Sequence, residues 1–190
     1  MTKYFSLALE KIGKDWGGHI IAALIYVIII AVLSRFYVGF VLNGAFTIGY
    51  YYFLKKKLAD EKAELADLFI AFKETKYILP AILASVVSGI IIFVGYILLI
   101  LPGIVAMAAF MFVYLIILDG EMNFWDAMMK SKDIVAKKWF DYCIFIVIGV
   151  VIILGGVLFC GIGVLVALPV VVGAITLAYN DTKIDSTSVS

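Results

Sequence analysis

Charge is missing from most of this 190-residue chain, although its 15 basic and 14 acidic residues nearly balance. The stretch 16–54 is interrupted only by Arg35, and the stretches 77–118 and 142–180 contain no Asp, Glu, Lys or Arg. A helix crosses a bilayer with about 20 apolar residues, and each stretch is about twice that long. The sequence therefore predicts two crossings in each stretch and six membrane spans in all.

Chemically reactive groups are also scarce. The single histidine, His19, excludes a histidine-rich metal site, and a GxxxxGK phosphate loop is absent. Cys143 and Cys160 lie on one predicted helix, too far apart for a disulfide. The predicted spans carry Asp, Glu, Lys or Arg only at their ends, which argues against a proton-coupled pump. We therefore expect no enzyme activity, no cofactor, no metal and, at a net charge of +1, no nucleic-acid partner.

Short turns divide the three stretches into six spans. Pro102 and Gly103 mark the turn of the second stretch, because proline stops a helix and glycine favours turns. Fourteen of the 15 basic residues lie away from the three turns, and only Arg35 lies at one. Basic loops favour the cytoplasm, so we expect a multi-pass protein of the cell membrane with both termini cytoplasmic. The predicted spans are 17–34, 36–54, 78–100, 103–118, 140–160 and 162–179.

An amphipathic segment precedes each pair of spans. The prediction is thus an all-α, polytopic fold of six transmembrane helices in three hairpins, each preceded by a cytoplasmic amphipathic helix. One domain covers 1–181, and a disordered polar tail follows at 182–190. Pro80 is expected to separate the second amphipathic helix from the third span. The three hairpin repeats cover about 1–57, 58–119 and 120–181.

The third amphipathic segment has an apolar stripe of Phe124, Met128 and Val135. Such a stripe lies either in the headgroup region of a bilayer or against neighbouring spans. The sequence leaves both alternatives open.

Glycine spacing supports a repeat between the second and third hairpins. Gly95 and Gly103 are eight residues apart, and so are Gly155 and Gly163. The repeated units share one orientation, unlike the inverted repeats of many transporters.

Short packing motifs are spread over residues 65–181. They are Leu101-Pro102-Gly103-Ile104, Asp119-Gly120-Glu121, Ala127 with Ser131, Cys160-Gly161-Ile162-Gly163, Pro169 and Ala178-Tyr179. With these residues the chain resembles the bacterial and archaeal six-span membrane proteins of unknown function that include the membrane domain of some glycerophosphodiester phosphodiesterases. The resemblance implies the six-span fold without an established chemistry, and it gives no reason to expect phosphodiesterase activity.

Four polar residues inside the apolar stretches are candidates for a site. Asn43 and Thr47 share one face of the second span, and Ser85 and Ser88 lie on the third. Such residues either let helices pack and bond across an interface or line a polar path. Pro169 is expected to kink the sixth span, because it removes a backbone donor.

Charged residues at the span ends suggest two further roles. Lysines beside a span attract anionic lipid headgroups or simply anchor the span. The lysines in question are Lys55, Lys56, Lys57, Lys137 and Lys138. The carboxylates of Asp119, Glu121 and Asp126 form either a solvated loop or an acidic site with Lys130 or Lys137.

These patterns favour a non-enzymatic membrane protein. We expect a scaffold or accessory subunit whose partners are membrane lipids and either a membrane protein or a second copy of the chain. The alternative is a passive channel, a small-solute transporter or a lipid-moving protein. A lipid-modifying enzyme using Asp119 and Glu121 is a third hypothesis.

Overall fold

A computed structural model describes residues 2–13, 15–33, 38–98, 100–120, 123–158 and 162–187. These residues are almost entirely helical and contain no β-strand, so the all-α prediction is confirmed. A short 3-10 helix, Leu65–Phe69, precedes α4. The α-helices are α1 Thr2–Gly13, α2 Trp16–Leu33, α3 Val38–Leu58, α4 Ile70–Lys73, α5 Thr75–Leu98, α6 Ile100–Ala109, α7 Val113–Leu118, α8 Phe124–Ala136, α9 Trp139–Leu158 and α10 Ile162–Thr187.

Several helices have the length and composition of membrane spans. In the described residues, four segments meet both criteria: Lys76–Ile97, Leu101–Leu118, Trp139–Leu158 and Gly163–Lys183. A fifth meets them only if α1 and Trp16–Val32, which are bent by 106° at their junction, count as one span. The apolar helices are therefore compatible with a membrane, and the count of six spans stays a prediction.

Helices that are neighbours in the sequence pack against each other in all three stretches. α2 packs on α3, α5 on α6, and α9 on α10. Their predicted turns at Arg35 and at Cys160-Gly161 lie outside the described residues. That each pair crosses a bilayer as a hairpin stays a prediction.

Paired glycines set how closely two of these helix pairs approach. A Cβ atom on Gly95 would lie 3.1 Å from the Cα of Gly103, and one on Gly156 would lie 2.8 Å from the carbonyl carbon of Gly163. A Cβ on Gly155 would meet nothing within 4 Å. In the second pair it is Gly156, and not the Gly155 of the repeat spacing, that faces Gly163 of α10. The spacing is eight residues in one pair and seven in the other.

Helices α3 and α10 form the centre of the bundle. α10 packs against α1, α2, α3 and α9, and α3 packs against α2, α5, α7 and α10. The apolar segment of α10 is 61% buried, whereas that of α5 is 17% buried. α5 therefore lies at the periphery, with side chains such as Phe93 and Ile97 exposed.

The amphipathic segments rest on this bundle. α1 buries Phe5, Ala8 and Ile12 and packs on α10. α8 buries Met128 and Val135, which are 0% and 4% exposed, and packs on α5, α6 and α7. For these two residues the lipid alternative is wrong, because neighbouring helices already cover the apolar face.

Two prolines and the C-terminal residues depart from prediction. Pro80 lies inside α5, and the expected break occurs earlier, at the extended Glu74. Pro102 lies in the first helical turn of α6, where its missing N–H costs no hydrogen bond. Pro102 and Gly103 are therefore helical and do not form the predicted turn between the two spans. α10 continues to Thr187 and so includes residues 182–187, which the sequence assigns to a polar tail. Residues 188–190 lie outside the described residues.

Candidate functional site

Three consecutive lysines at the end of α3 each meet a carboxylate from a different segment. Lys55 Nζ lies 2.7 Å from Asp119 Oδ1, and Lys56 Nζ lies 2.9 Å from Asp67 Oδ2. Lys57 pairs with Asp15, which precedes α2. These ion pairs connect α3 to three other segments, and each lysine charge has a carboxylate partner within the protein. The three lysines of α3 therefore have a structural role within the protein. Contact of the five predicted lysines with anionic lipid stays a prediction, and among them Lys137 and Lys138 are exposed.

Asp119 is the most highly connected of these carboxylates. It accepts hydrogen bonds from Lys55, from the Tyr179 hydroxyl at 2.5 Å and from Lys183 at 2.5 Å. Gly120 follows with φ +77°, a left-handed conformation that ends α7 and that glycine adopts freely. We call Lys55, Asp119, Tyr179 and Lys183 the Asp119 cluster.

Opposing effects act on the pKa of Asp119. Burial raises the pKa of this carboxyl, whose side chain is 11% exposed, but the hydrogen bonds from Lys183, Lys55 and Tyr179 outweigh it and hold the pKa below its usual value. The carboxylate is thus ionised at neutral pH.

Asp119 pairs with other lysines than those predicted for an acidic site, and that site stays a prediction. The Asp126 carboxylate accepts from the Asn123 amide at 2.7 Å, at the start of α8, and Glu121 lies outside the described residues. Lys130 and Lys137 are replaced as partners of Asp119 by lysines of α3 and α10. The described residues contain no group of three or more His, Cys, Asp or Glu arranged to hold a metal ion.

Three of the four predicted polar residues line one partly open cleft of 340 Å³. Asn43 comes from α3, and Ser85 and Ser88 come from α5. Tyr114 of α7 supplies a fourth polar side chain. Most of the remaining lining is apolar: Ile92, Met107, Phe110, Met111, Ile146 and Ile175.

Thr47 supports the cleft without lining it. Its hydroxyl donates to Asn43 Oδ1 at 3.3 Å and lies 3.0 Å from the Tyr26 hydroxyl. Because Thr47 has one hydroxyl proton, Tyr26 must donate to Thr47. This Tyr26–Thr47–Asn43 relay orients the Asn43 carbonyl toward Thr47.

The two serines are bonded to their own helix. Ser85 Oγ donates to the Ile82 carbonyl at 2.8 Å, and Ser88 Oγ donates to the Ala84 carbonyl at 2.5 Å. Each hydroxyl proton is therefore satisfied, and the oxygen lone pairs remain available in the cleft.

A break between α6 and α7 forms part of the cleft wall. Backbone bonds tighten there to i→i+3 spacing, from Met111 to Ala108 and from Val113 to Phe110. Ser131 of α8 bridges the break, because its hydroxyl donates to the Ala109 carbonyl at 2.6 Å and accepts from the Phe112 N–H at 3.3 Å. Ser131 is 0% exposed, so water does not replace these bonds.

We expect Ser131→Ala to destabilise the protein by about 2 kcal/mol, because a buried N–H is left unsatisfied. Ser6→Ala is the matched control, since the exposed Ser6 hydroxyl donates only to the Lys3 carbonyl of its own turn. The measurement is the free energy of unfolding in detergent micelles. Equal stability of the two variants would contradict the bridging role.

Buried residues separate the cleft from the Asp119 cluster. Along α3 the intervening Leu54 is 0% exposed, along α7 Leu115 is 0% exposed, and along α10 Ala178 is 1% exposed. Tyr51 stacks on Tyr114 with ring centroids 6.0 Å apart, so a buried aromatic ring also lies beside this cleft residue. The cleft and the Asp119 cluster therefore share no residue.

Sequence reasoning missed three participants: Tyr26, Tyr114 and Ser131. The two tyrosines lie in apolar stretches, where a single tyrosine hydroxyl is a weak signal. Ser131 belongs to a packing motif with Ala127, but the sequence does not indicate its bonding partners. Pro169 lies within α10, and the predicted kink there stays a prediction.

Comparison with known proteins adds no relationship. No family model, curated protein or solved structure matches the chain. The resemblance to the six-span family therefore stays an expectation.

Proposed function

We propose that this chain is a six-span integral membrane protein that works by binding rather than by catalysis. It serves as a scaffold or accessory subunit of the cell membrane, and it holds a membrane lipid or a membrane partner. The observation that carries this proposal is the cleft, in which Asn43, Ser85 and Ser88 converge among apolar side chains. A volume of 340 Å³ is at the small end of the range for ligand sites, about 300–1,000 Å³.

Charge distribution supports the membrane orientation of the proposal. The ion pairs of Lys55, Lys56 and Lys57 gather at one end of α3, and 14 of the 15 basic residues of the sequence lie on the same predicted side. Basic residues are retained on the cytoplasmic side of membranes. This distribution supports a topology with both termini in the cytoplasm.

Cysteine labelling tests this topology. In a background with Cys143 and Cys160 replaced by serine, we expect Arg35→Cys to react with an impermeant maleimide on intact cells. Glu61→Cys and Ser188→Cys should react only after the membrane is opened. Labelling of Ser188→Cys on intact cells would require an odd number of spans and would overturn the proposal.

Passive passage of a solute or lipid is the second candidate function. The break at Phe110–Phe112 favours it, because interrupted helices line the substrate paths of many transporters. The buried Leu54, Leu115 and Ala178 favour binding instead, since they lie between the cleft and the Asp119 cluster along their helices. Flux of ions, small solutes or lipids through liposomes containing the protein would favour passage.

A further inference from the structure

We propose that the cleft binds an uncharged, single-chain amphiphile and that an oxygen of this ligand accepts a hydrogen bond from the Asn43 amide. The inference rests on the proposed function, because the cleft meets membrane molecules only if the chain spans the bilayer. It goes further by assigning the ligand class and the residue that recognises it.

The cleft lining excludes a charged ligand. None of its residues is Asp, Glu, Lys, Arg or His, and the nearest described charged group along α7 is Asp119, beyond buried residues. A charge placed among apolar side chains without a partner is strongly disfavoured. An ionised headgroup therefore has no opposite charge to pair with in the cleft lining.

The orientation of the Asn43 amide indicates which chemical group of a ligand it can bind. The Tyr26–Thr47–Asn43 relay occupies the amide oxygen of Asn43 through Thr47. The described residues supply no acceptor for the two amide N–H groups, and the side chain is exposed at the cleft. Asn43 is therefore a donor that fits a hydroxyl or carbonyl oxygen.

Ser85 and Ser88 complete the polar side of the site. Their protons are held by backbone carbonyls, so their oxygens can accept from a ligand hydroxyl. A ligand hydroxyl group fits both the Asn43 amide and the serines, because it can accept a hydrogen bond from Asn43 and donate one to a serine oxygen. The six apolar lining residues then contact the hydrocarbon chain.

Cleft volume and position limit the ligand to one chain. The 340 Å³ of space is small for a two-chain phospholipid, and its α5 contribution, from Ser85 to Ile92, lies in the middle of Thr75–Leu98. Such a site lies near the bilayer midplane. A fatty alcohol has the required single chain, neutral charge and hydroxyl.

Photolabelling of the full chain in phospholipid nanodiscs tests the proposal. The probe is a diazirine-bearing fatty alcohol, with an alkane of equal length and a fatty carboxylate as comparison probes. We expect the alcohol to label cleft residues such as Met107 and Met111 and to bind Asn43→Leu about threefold to tenfold more weakly than wild type. Thr47→Val should weaken it less, and Gly155→Ala, on an open face of α9, should not change it.

A cleft-filling variant guards against indirect effects. Ser88→Leu should abolish alcohol labelling of Met107 and Met111, while the alkane should show no dependence on Asn43. Unchanged alcohol binding by Asn43→Leu, or stronger labelling by the carboxylate, would overturn the inference. If cysteine labelling still gives six spans in that case, the membrane topology of the proposed function stands and the ligand assignment fails.

Discussion

Replacing Asp119 with alanine is expected to lower the free energy of unfolding by about 2 kcal/mol. The substitution leaves Lys55 and Lys183 without their shared carboxylate and removes the acceptor of the Tyr179 hydroxyl. Breaking a fully buried pair costs about 3–5 kcal/mol, and the solvent exposure of the two lysines reduces the expectation here. Unfolding in mixed detergent micelles, followed by tryptophan fluorescence, measures the loss.

Asp133→Asn is the control for this prediction. Asp133 is 72% exposed and lies 3.7 Å from Lys132, so we expect a change within about 0.5 kcal/mol. Asp119→Asn should fall between the two, because an amide oxygen still accepts hydrogen bonds but carries no charge. If Asp119→Ala were as stable as Asp133→Asn, the Asp119 cluster would not hold α3, α7 and α10 together.

Acid should remove the contribution of Asp119. Its pKa is lower in the folded protein than in the unfolded chain, so the unfolded state binds a proton first as the pH falls. The stabilisation is fully present above the unfolded value of about 3.9 and is lost as the pH falls through the lower folded pKa. The stability difference between wild type and Asp119→Asn should therefore be constant near neutral pH and shrink below that value.

Replacing Gly49 with alanine is expected to cost about 3 kcal/mol, because an added atom has no space. A Cβ on Gly49 of α3 would lie 1.9 Å from the carbonyl oxygen of Leu68 in the 3-10 helix. The obstacle is backbone, so relief requires the segment Leu65–Phe69 to move away from α3. That movement also strains the Lys56–Asp67 ion pair at 2.9 Å.

Gly155→Ala is the matched substitution for this test. Its added Cβ would meet nothing within 4 Å, and alanine is favoured over glycine in a helix by about 1 kcal/mol. The two glycine-to-alanine changes should thus shift the free energy of unfolding in opposite directions. A stable Gly49→Ala protein would show that the 3-10 helix does not lie against α3 in the bilayer.

Much of the helical frame could be predicted from the sequence, because charge-free runs give helices and their ends are marked by lysines and glycines. The break between Ala109 and Val113 could not, since neither proline nor glycine occurs there and the compensating Ser131 lies about 20 residues away. The partners of the lysines could not be predicted either, because they too lie far away in the sequence. Lys55, Lys56 and Lys57 look equivalent in sequence, yet tertiary contacts give each a different carboxylate.

Convergence of Asn43, Ser85 and Ser88 in one cleft was partly predictable, because each occupies a helix face with small or polar neighbours. Which face meets which helix depends on close approaches such as Gly44, whose Cβ would lie 2.2 Å from the Ala81 carbonyl oxygen. Thr47 points to Tyr26 instead of the cleft, which only the packing of α2 on α3 decides.

The Asp119 cluster also sets an order of events during synthesis. Lys55 precedes Asp119 by 64 residues and Tyr179 follows it by 60, so the ribosome delivers these partners at widely separated times. Once α7 is made, Asp119 can pair with Lys55 alone. The hydroxyl of Tyr179 and the ammonium group of Lys183 arrive only with the last helix. The nascent protein therefore keeps a partly satisfied carboxylate at the end of α7 until translation of α10 is complete.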